Sequence, residues 1–156
     1  MQNSAFFYEL KTEHYLISTD KTLLQPLVIH QYLSEESYWA KNIPLETVQK
    51  SIEHALCFGV YDGEAQVGFA RVISDFATIA YIGDVFILPS HQGKGLSKKL
   101  MECITKHPEL QGLRRWILAT LDAHGLYEQF GFTALGKPER SMEKINFREY
   151  PNPKDA

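Results

Sequence analysis

Three sets of residues in this 156-residue chain could do chemistry. The first is Gln92-Gly93-Lys94-Gly95-Leu96-Ser97, which joins an apolar run to a stretch with apolar residues at helical spacing. Unpaired backbone N–H groups and the positive dipole end gather in the first turn of a helix. Glycines just before it let the backbone approach a ligand, so the turn reads as a pyrophosphate cradle. Lys94, Lys98 and Lys99 add positive charge, although Lys98 and Lys99 also suit an ordinary solvated helix face. The second set is Asp84, alone among apolar neighbours, with His124 further on. A carboxylate in such a strand is either paired or desolvated toward usefulness as a base. Asp84 therefore reads as a base or as a structural partner of Arg71. His124 is a rival base, because histidine as a residue type exchanges protons near neutral pH, or a cap for the short helix that follows. The third is Tyr127, a phenol able to donate a proton, or a core tyrosine with its hydroxyl at the surface.

These groups need a scaffold. A first strand is expected over Tyr15–Thr19, then a helix capped by Asp20 that carries Leu23, Leu24, Leu27, Val28 and His30. Ser34 to Pro44 reads as a loop holding Tyr38 and Trp39, and Leu45 to Ala55 as a second helix. Leu56–Tyr61 and Gln66–Ser74 form a hairpin about the turn signal Asp62-Gly63. The next strand, Ile79–Leu88, is apolar on both faces, with Ile79, Tyr81, Val85 and Ile87 on one and Ala80, Ile82, Phe86 and Leu88 on the other. Such a strand is expected to be covered above and below, and Gly83 suggests a bulge or a close backbone approach within it. A helix carries Leu96, Leu100, Met101 and Ile104 and closes at Pro108. A strand follows over Trp116–Thr120, then a short helix over Gly125–Phe130. Strands are expected near Phe132–Leu135 and Met142–Ile145. The whole is an α/β mixed sheet with helices on both faces. It forms one domain over residues 1–156, with a polar tail from about residue 146 that lies on the surface or frays.

Two common phosphate motifs do not fit. A P-loop needs glycine where Leu88 stands, and a dinucleotide fingerprint needs one where Lys98 stands. Instead, Val85-Phe86-Ile87 leading through Pro89 into Gln92-Gly93-Lys94-Gly95-Leu96-Ser97 resembles the acetyl-CoA-binding motif of the GNAT N-acetyltransferase superfamily. In that motif Arg or Gln precedes Gly by three residues, and Gly or Ala follows two later. Gln92 and Gly95 match, and Ser97 is the departure. Downstream, Tyr127-Glu128-Gln129-Phe130-Gly131-Phe132 is similar to the family's Tyr-x-x-x-Gly-Phe segment. Many members carry an Asn just before that helix, whereas here Thr120-Leu121-Asp122-Ala123-His124 stands.

The resemblance covers roughly Leu56 to Phe132. It implies a central sheet splayed at the cofactor site and acetyl-CoA held by Val85, Phe86, Ile87, Gln92, Gly93, Lys94, Gly95, Leu96, Ser97 and Lys98. It implies an amine attacking the thioester directly within a ternary complex, with Tyr127 as acid toward the sulfur. The family often places a Glu slightly earlier on the central strand, where Tyr81, Ile82 and Gly83 stand here. The early helix-loop region, with Tyr38 and Trp39, would lie over the acceptor. Trp39 then either covers an amine by cation–π contact or plugs the core. Asp75 is a further candidate for a cationic acceptor, or a turn residue.

Bulk properties set the limits. The net charge of -3 argues against a nucleic-acid footprint. Hydrophobic residues at 44% and charged residues at 22% describe an ordinary globular chain. Cys57 and Cys103 show no metal-ligand spacing, so no metal is expected and both read as buried thiols. Met1 to Leu10 lacks a signal-peptide pattern, and no run approaches the ~20 apolar residues of a membrane span. A cytoplasmic enzyme is expected, monomeric or homodimeric, acting on a small-molecule amine. A protein acceptor and a noncatalytic acyl-CoA sensor are the alternatives.

Overall fold

The computed structural model describes residues 7–155. Six strands form one mixed sheet in sequential order: β1 (Glu9–Thr12), β2 (Tyr15–Ser18), β3 (Leu56–Asp62), β4 (Ala65–Ser74), β5 (Ile79–Ile87) and β6 (Arg115–Leu118). The first five are antiparallel neighbours; β6 runs parallel to β5. The helices are α1 (Pro26–Gln31), which continues as a π-helical turn over Tyr32–Glu36, α2 (Leu45–Glu53), α3 (Leu96–Lys106) and α4 (His124–Glu128).

One face of the sheet packs on α3. Leu96, Leu100, Met101, Cys103 and Ile104 from the helix meet Phe58, Val60, Val67, Ala70, Val72, Ala80 and Ile82 from the strands. The other face packs on α1 and α2, where Ile29, Leu33, Val48 and Ile52 bury Cys57, Phe69 and Phe86. Leu100 is fully enclosed. Leu100→Ala is expected to cost about 2–5 kcal/mol through lost transfer energy and the cavity left behind, read as a lower midpoint in urea unfolding with an unchanged slope. Cys57 and Cys103 are buried free thiols, and burial pushes both up to about 11.

The helix expected from Asp20 is split. Asp20 does cap, accepting the Thr22 N–H at 2.9 Å, but it caps a 3-10 turn over Lys21–Leu23. α1 begins at Pro26, whose fixed φ suits a first helical position.

The faces of β5 also differ from simple alternation. On β4 the pairing steps from Phe69 to Arg71, while on β5 it steps from Phe86 to Gly83. Asp84 and Val85 thus oppose the single residue Ala70. Asp84 sits at φ 54, in the left-handed region that Asp tolerates better than most residues. The bulge reverses the alternation. Ala80 and Ile82 belong to the α3 side before it, and Ile87 after it, while Phe86 turns to the α1–α2 side. Nor is the strand covered throughout. Ile79 and Tyr81 are exposed, because α1 and α2 stop short of that end of the sheet.

The two strands expected near Phe132–Leu135 and Met142–Ile145 do not form. Both segments are irregular, and Met142 is 98% exposed. Neither pairs with a strand, and although Phe132 packs on the α3-side core, Met142 to Ile145 has no face to bury; β propensity expresses just such pairing and packing. The tail does not fray throughout: Tyr150 packs on the α1–α2 core, and its carbonyl oxygen accepts from Asn42 Nδ2 at 3.5 Å.

Candidate active site

β6 pairs with β5 only from Ile79 to Ile82. Beyond Ile82 the strands part, which leaves one edge of β5 open in mid-sheet. The Leu88 N–H points to β4, donating to the Val67 oxygen at 2.8 Å. Alternation therefore turns the peptide group of Ile87 toward the open edge. The Ile87 carbonyl accepts from Gln92 Nε2 at 2.9 Å. Gln92 thus ties the glycine turn to the end of β5.

In that turn Gly93 and Gly95 have φ of 78° and 76°. No atom lies within 4 Å of where a Cβ would stand on either. Gly95 is the N-cap residue of α3 and provides no side-chain cap. The Lys99 N–H bonds the Gly95 oxygen at 3.2 Å, so the N–H groups of Leu96, Ser97 and Lys98 precede the helical ladder. Lys94 and Lys98 are exposed beside them. Open space, glycine backbone and free donors fit a pyrophosphate.

A cavity of about 620 Å³ opens against the bulge. Its lining includes Tyr38, Trp39, Arg71, Asp84, Val85, Asp122 and Tyr127. Tyr127 also lines a second cavity of about 310 Å³, with His124, between the end of β6 and residues 132–135. A further hollow of about 490 Å³, beside residues 110–116 and 130–136, contains none of the candidate residues.

Tyr127 stands on α4 with its residue surface 8% exposed and its ring edge-on to Phe132 at 6.0 Å. Its hydroxyl forms no hydrogen bond among the described residues. Burial, followed by the charges of Tyr38 and Asp122, pushes the phenol up to about 12. It is therefore a neutral proton donor at ordinary pH.

Asp84 is engaged on both oxygens. Oδ2 accepts from Arg71 Nε at 2.8 Å and Oδ1 from Trp39 Nε1 at 2.8 Å. Trp39 is half-exposed at the cavity and serves as a tether between the α1–α2 loop and the bulge. Tyr38 ties the same loop to the β6–α4 turn, its hydroxyl accepting the Leu121 N–H at 2.8 Å. The two aromatics meet edge-on at 5.0 Å.

Not every expected residue reaches the site. Asp75 caps the β4–β5 turn and does not line the 620 Å³ cavity. The Thr78 hydroxyl, then backbone N–H groups of Thr78, Ala77 and Ile79, hold its carboxyl well below the usual range. His124 is exposed and borders only the smaller of the two Tyr127 cavities. Conversely, Arg71, expected only as a possible partner of Asp84, lines the large cavity, as do Asp122 and Tyr150, which were not expected there. Arg71 had a sequence signal, a lone cation in an apolar strand; Asp122 and Tyr150 had none.

The family model of the acetyltransferase (GNAT) family matches residues 27–132. The chain belongs to the GNAT family. It is 54% identical to a GNAT-family protein of Xanthomonas campestris pv. campestris, whose crystal structure it matches with a TM-score of 0.84 over 86% of this chain and 95% of that one. A Gibberella zeae protein proposed to be an acetyltransferase is 33% identical to it, the match covering 72% of this chain and 75% of that one. The fold also recurs, at 16% identity and a TM-score of 0.58, in a Mycobacterium tuberculosis protein solved in complex with CoA; the match covers 70% of this chain and 67% of that one. Among the described residues no helix is long and apolar enough to cross a membrane.

Proposed function

We propose that the protein transfers an acetyl group from acetyl-CoA to the primary amine of a small molecule. One observation carries this reading. Val85, at the open edge of β5, and Tyr127, whose hydroxyl has no protein partner among the described residues, line one cavity, and the uncapped glycine turn lies at the end of the same strand. The pyrophosphate would bind the N–H groups of Leu96, Ser97 and Lys98, with Lys94 nearby. The pantetheine arm would run along Val85 to Ile87.

The acceptor's nitrogen lone pair attacks the thioester carbonyl carbon, and the oxygen gains charge that the Val85 N–H can meet. When the C–S bond breaks, the sulfur keeps the electron pair and takes the phenolic proton of Tyr127. The nitrogen must also lose a proton. Asp84 is a poor acceptor for it, because two donors already hold its oxygens. His124 does not face this cavity. Asp122 is exposed at the rim, its carboxylate accepting no hydrogen bond among the described residues, and takes that role. Solvent returns the proton to Tyr127 after product leaves.

The raised tyrosine gives a pH test. A group needed protonated, with a pKa of about 12, loses activity only as pH rises toward that value. An ordinary tyrosine would begin to fail near pH ~10. Between about pH 8 and pH 10, kcat for acetyl transfer is therefore expected to stay level. A fall centred below about pH 9 would reject Tyr127 as the acid.

A further inference from the structure

Arg71 has work left over. It lies on β4 two residues from Phe69, on the face that α1 and α2 cover at Phe69. At Arg71 the helices give way to the 620 Å³ cavity. Its side chain is only 19% exposed, and Nε is bound to Asp84 Oδ2 at 2.8 Å. Nη1 and Nη2 form no hydrogen bond among the described residues. That leaves up to four N–H donors of a largely buried guanidinium without a protein acceptor. Neither nitrogen is a buried atom lacking a partner; both are accessible from the cavity that Arg71 lines, where ligand oxygens can replace solvent on them.

Asp84, 10% exposed and itself held by the Trp39 indole N–H, fixes the guanidinium at Nε, so the fork is positioned before any ligand arrives. A planar fork with two free nitrogens matches the two oxygens of a carboxylate. The Asp84 charge does not repel such a ligand strongly, because Arg71 already compensates it. Tyr81 and Tyr150 share the cavity and supply apolar walls for the body of the ligand.

We propose that the acceptor is an amino acid-like molecule, an amine that also bears a carboxylate, and that Arg71 binds this carboxylate. The inference rests on the acetyltransferase reading, since it places the amine toward Val85 and Tyr127. Arg71 is then the residue that sets acceptor specificity.

The test reads binding as well as turnover. The Arg71 Nε–H and Trp39 Nε1–H resonances are followed by NMR, with and without CoA, during titrations with L-phenylalanine, L-tyrosine, L-methionine and L-glutamate. Each amino acid is compared with the amine that lacks its α-carboxylate, and phosphoethanolamine is run beside them. At least one amino acid is expected to bind roughly 10- to 100-fold more tightly than its amine, the margin of a charge-assisted pair. Arg71→Met is expected to erase that margin while leaving CoA affinity unchanged. Arg71→Lys keeps the ion pair with Asp84, and so the fold, yet loses the fork; it is expected to lose most of the margin too. Equal binding of every amino acid and its amine, or a margin that survives both substitutions, overturns the proposal. Tighter binding of phosphoethanolamine than of any amino acid overturns the carboxylate assignment. A wild-type protein that binds amino acids through Arg71 but never binds CoA would instead defeat the acetyltransferase reading.

Discussion

Gly95→Val is expected to weaken acetyl-CoA binding by more than about 100-fold, the loss of several charge-assisted hydrogen bonds at once. Gly95 has a φ of 76° and open space where a side chain would stand. A branched side chain would occupy the approach to the N–H groups of Leu96 to Lys98. It would also strain the backbone by about 1–2 kcal/mol, because a Cβ crowds the carbonyl in the left-handed region. Strain and steric blockade can be separated. Gly112 has the same φ of 76° and the same open surroundings, but lies between α3 and β6, away from the cradle. Gly112→Val is expected to lower thermal stability similarly and leave acetyl-CoA affinity intact. Calorimetric titration and thermal unfolding of both variants make the comparison. Normal affinity in folded Gly95→Val would remove the cradle from this turn.

Tyr127→Phe is expected to lower kcat about 10²- to 10⁴-fold, the usual worth of a positioned acid. Acetyl-CoA affinity should stay within about twofold, since no cofactor hydrogen bond is assigned to the phenol. Stability should hardly change either. The ring packs in the α3-side core, while the hydroxyl has no protein partner to lose. This combination distinguishes a proton donor from a packing tyrosine, and unchanged turnover would leave Tyr127 as core alone.

Much of this was legible from local pattern. The hairpin about Gly63, the helix of Leu96 to Ile104 and the glycine turn each carry their information within a dozen residues. Gly83 stands next to the bulge, which falls on Asp84 and Val85. The consequences of the bulge were not legible, because a one-residue insertion reverses inside and outside for everything after it. Hence Phe86 faces α1 and α2 rather than following Ala80 and Ile82. The strands expected after Phe132 failed for a related reason. A run such as Phe132–Leu135 forms a strand only if a neighbour pairs with it, and sequence does not announce the neighbour.

The site divides in the same way. The residues of the glycine turn and Tyr127 sit on contiguous motifs. Asp84 was recognisable as anomalous, and Arg71 as its possible partner. The Trp39 tether was not, since it joins residues 45 positions apart. Asp75 was ambiguous until its four acceptor bonds showed a turn. That Arg71 keeps two nitrogens free in a cavity is a fact of tertiary packing alone.

The central claim is that the glycine turn and the open edge of β5 hold acetyl-CoA. Isothermal titration of the unmodified protein with acetyl-CoA tests it most directly. The account predicts saturable one-to-one binding in the micromolar range. No heat of binding from protein that remains folded, as judged by its thermal transition, would contradict it.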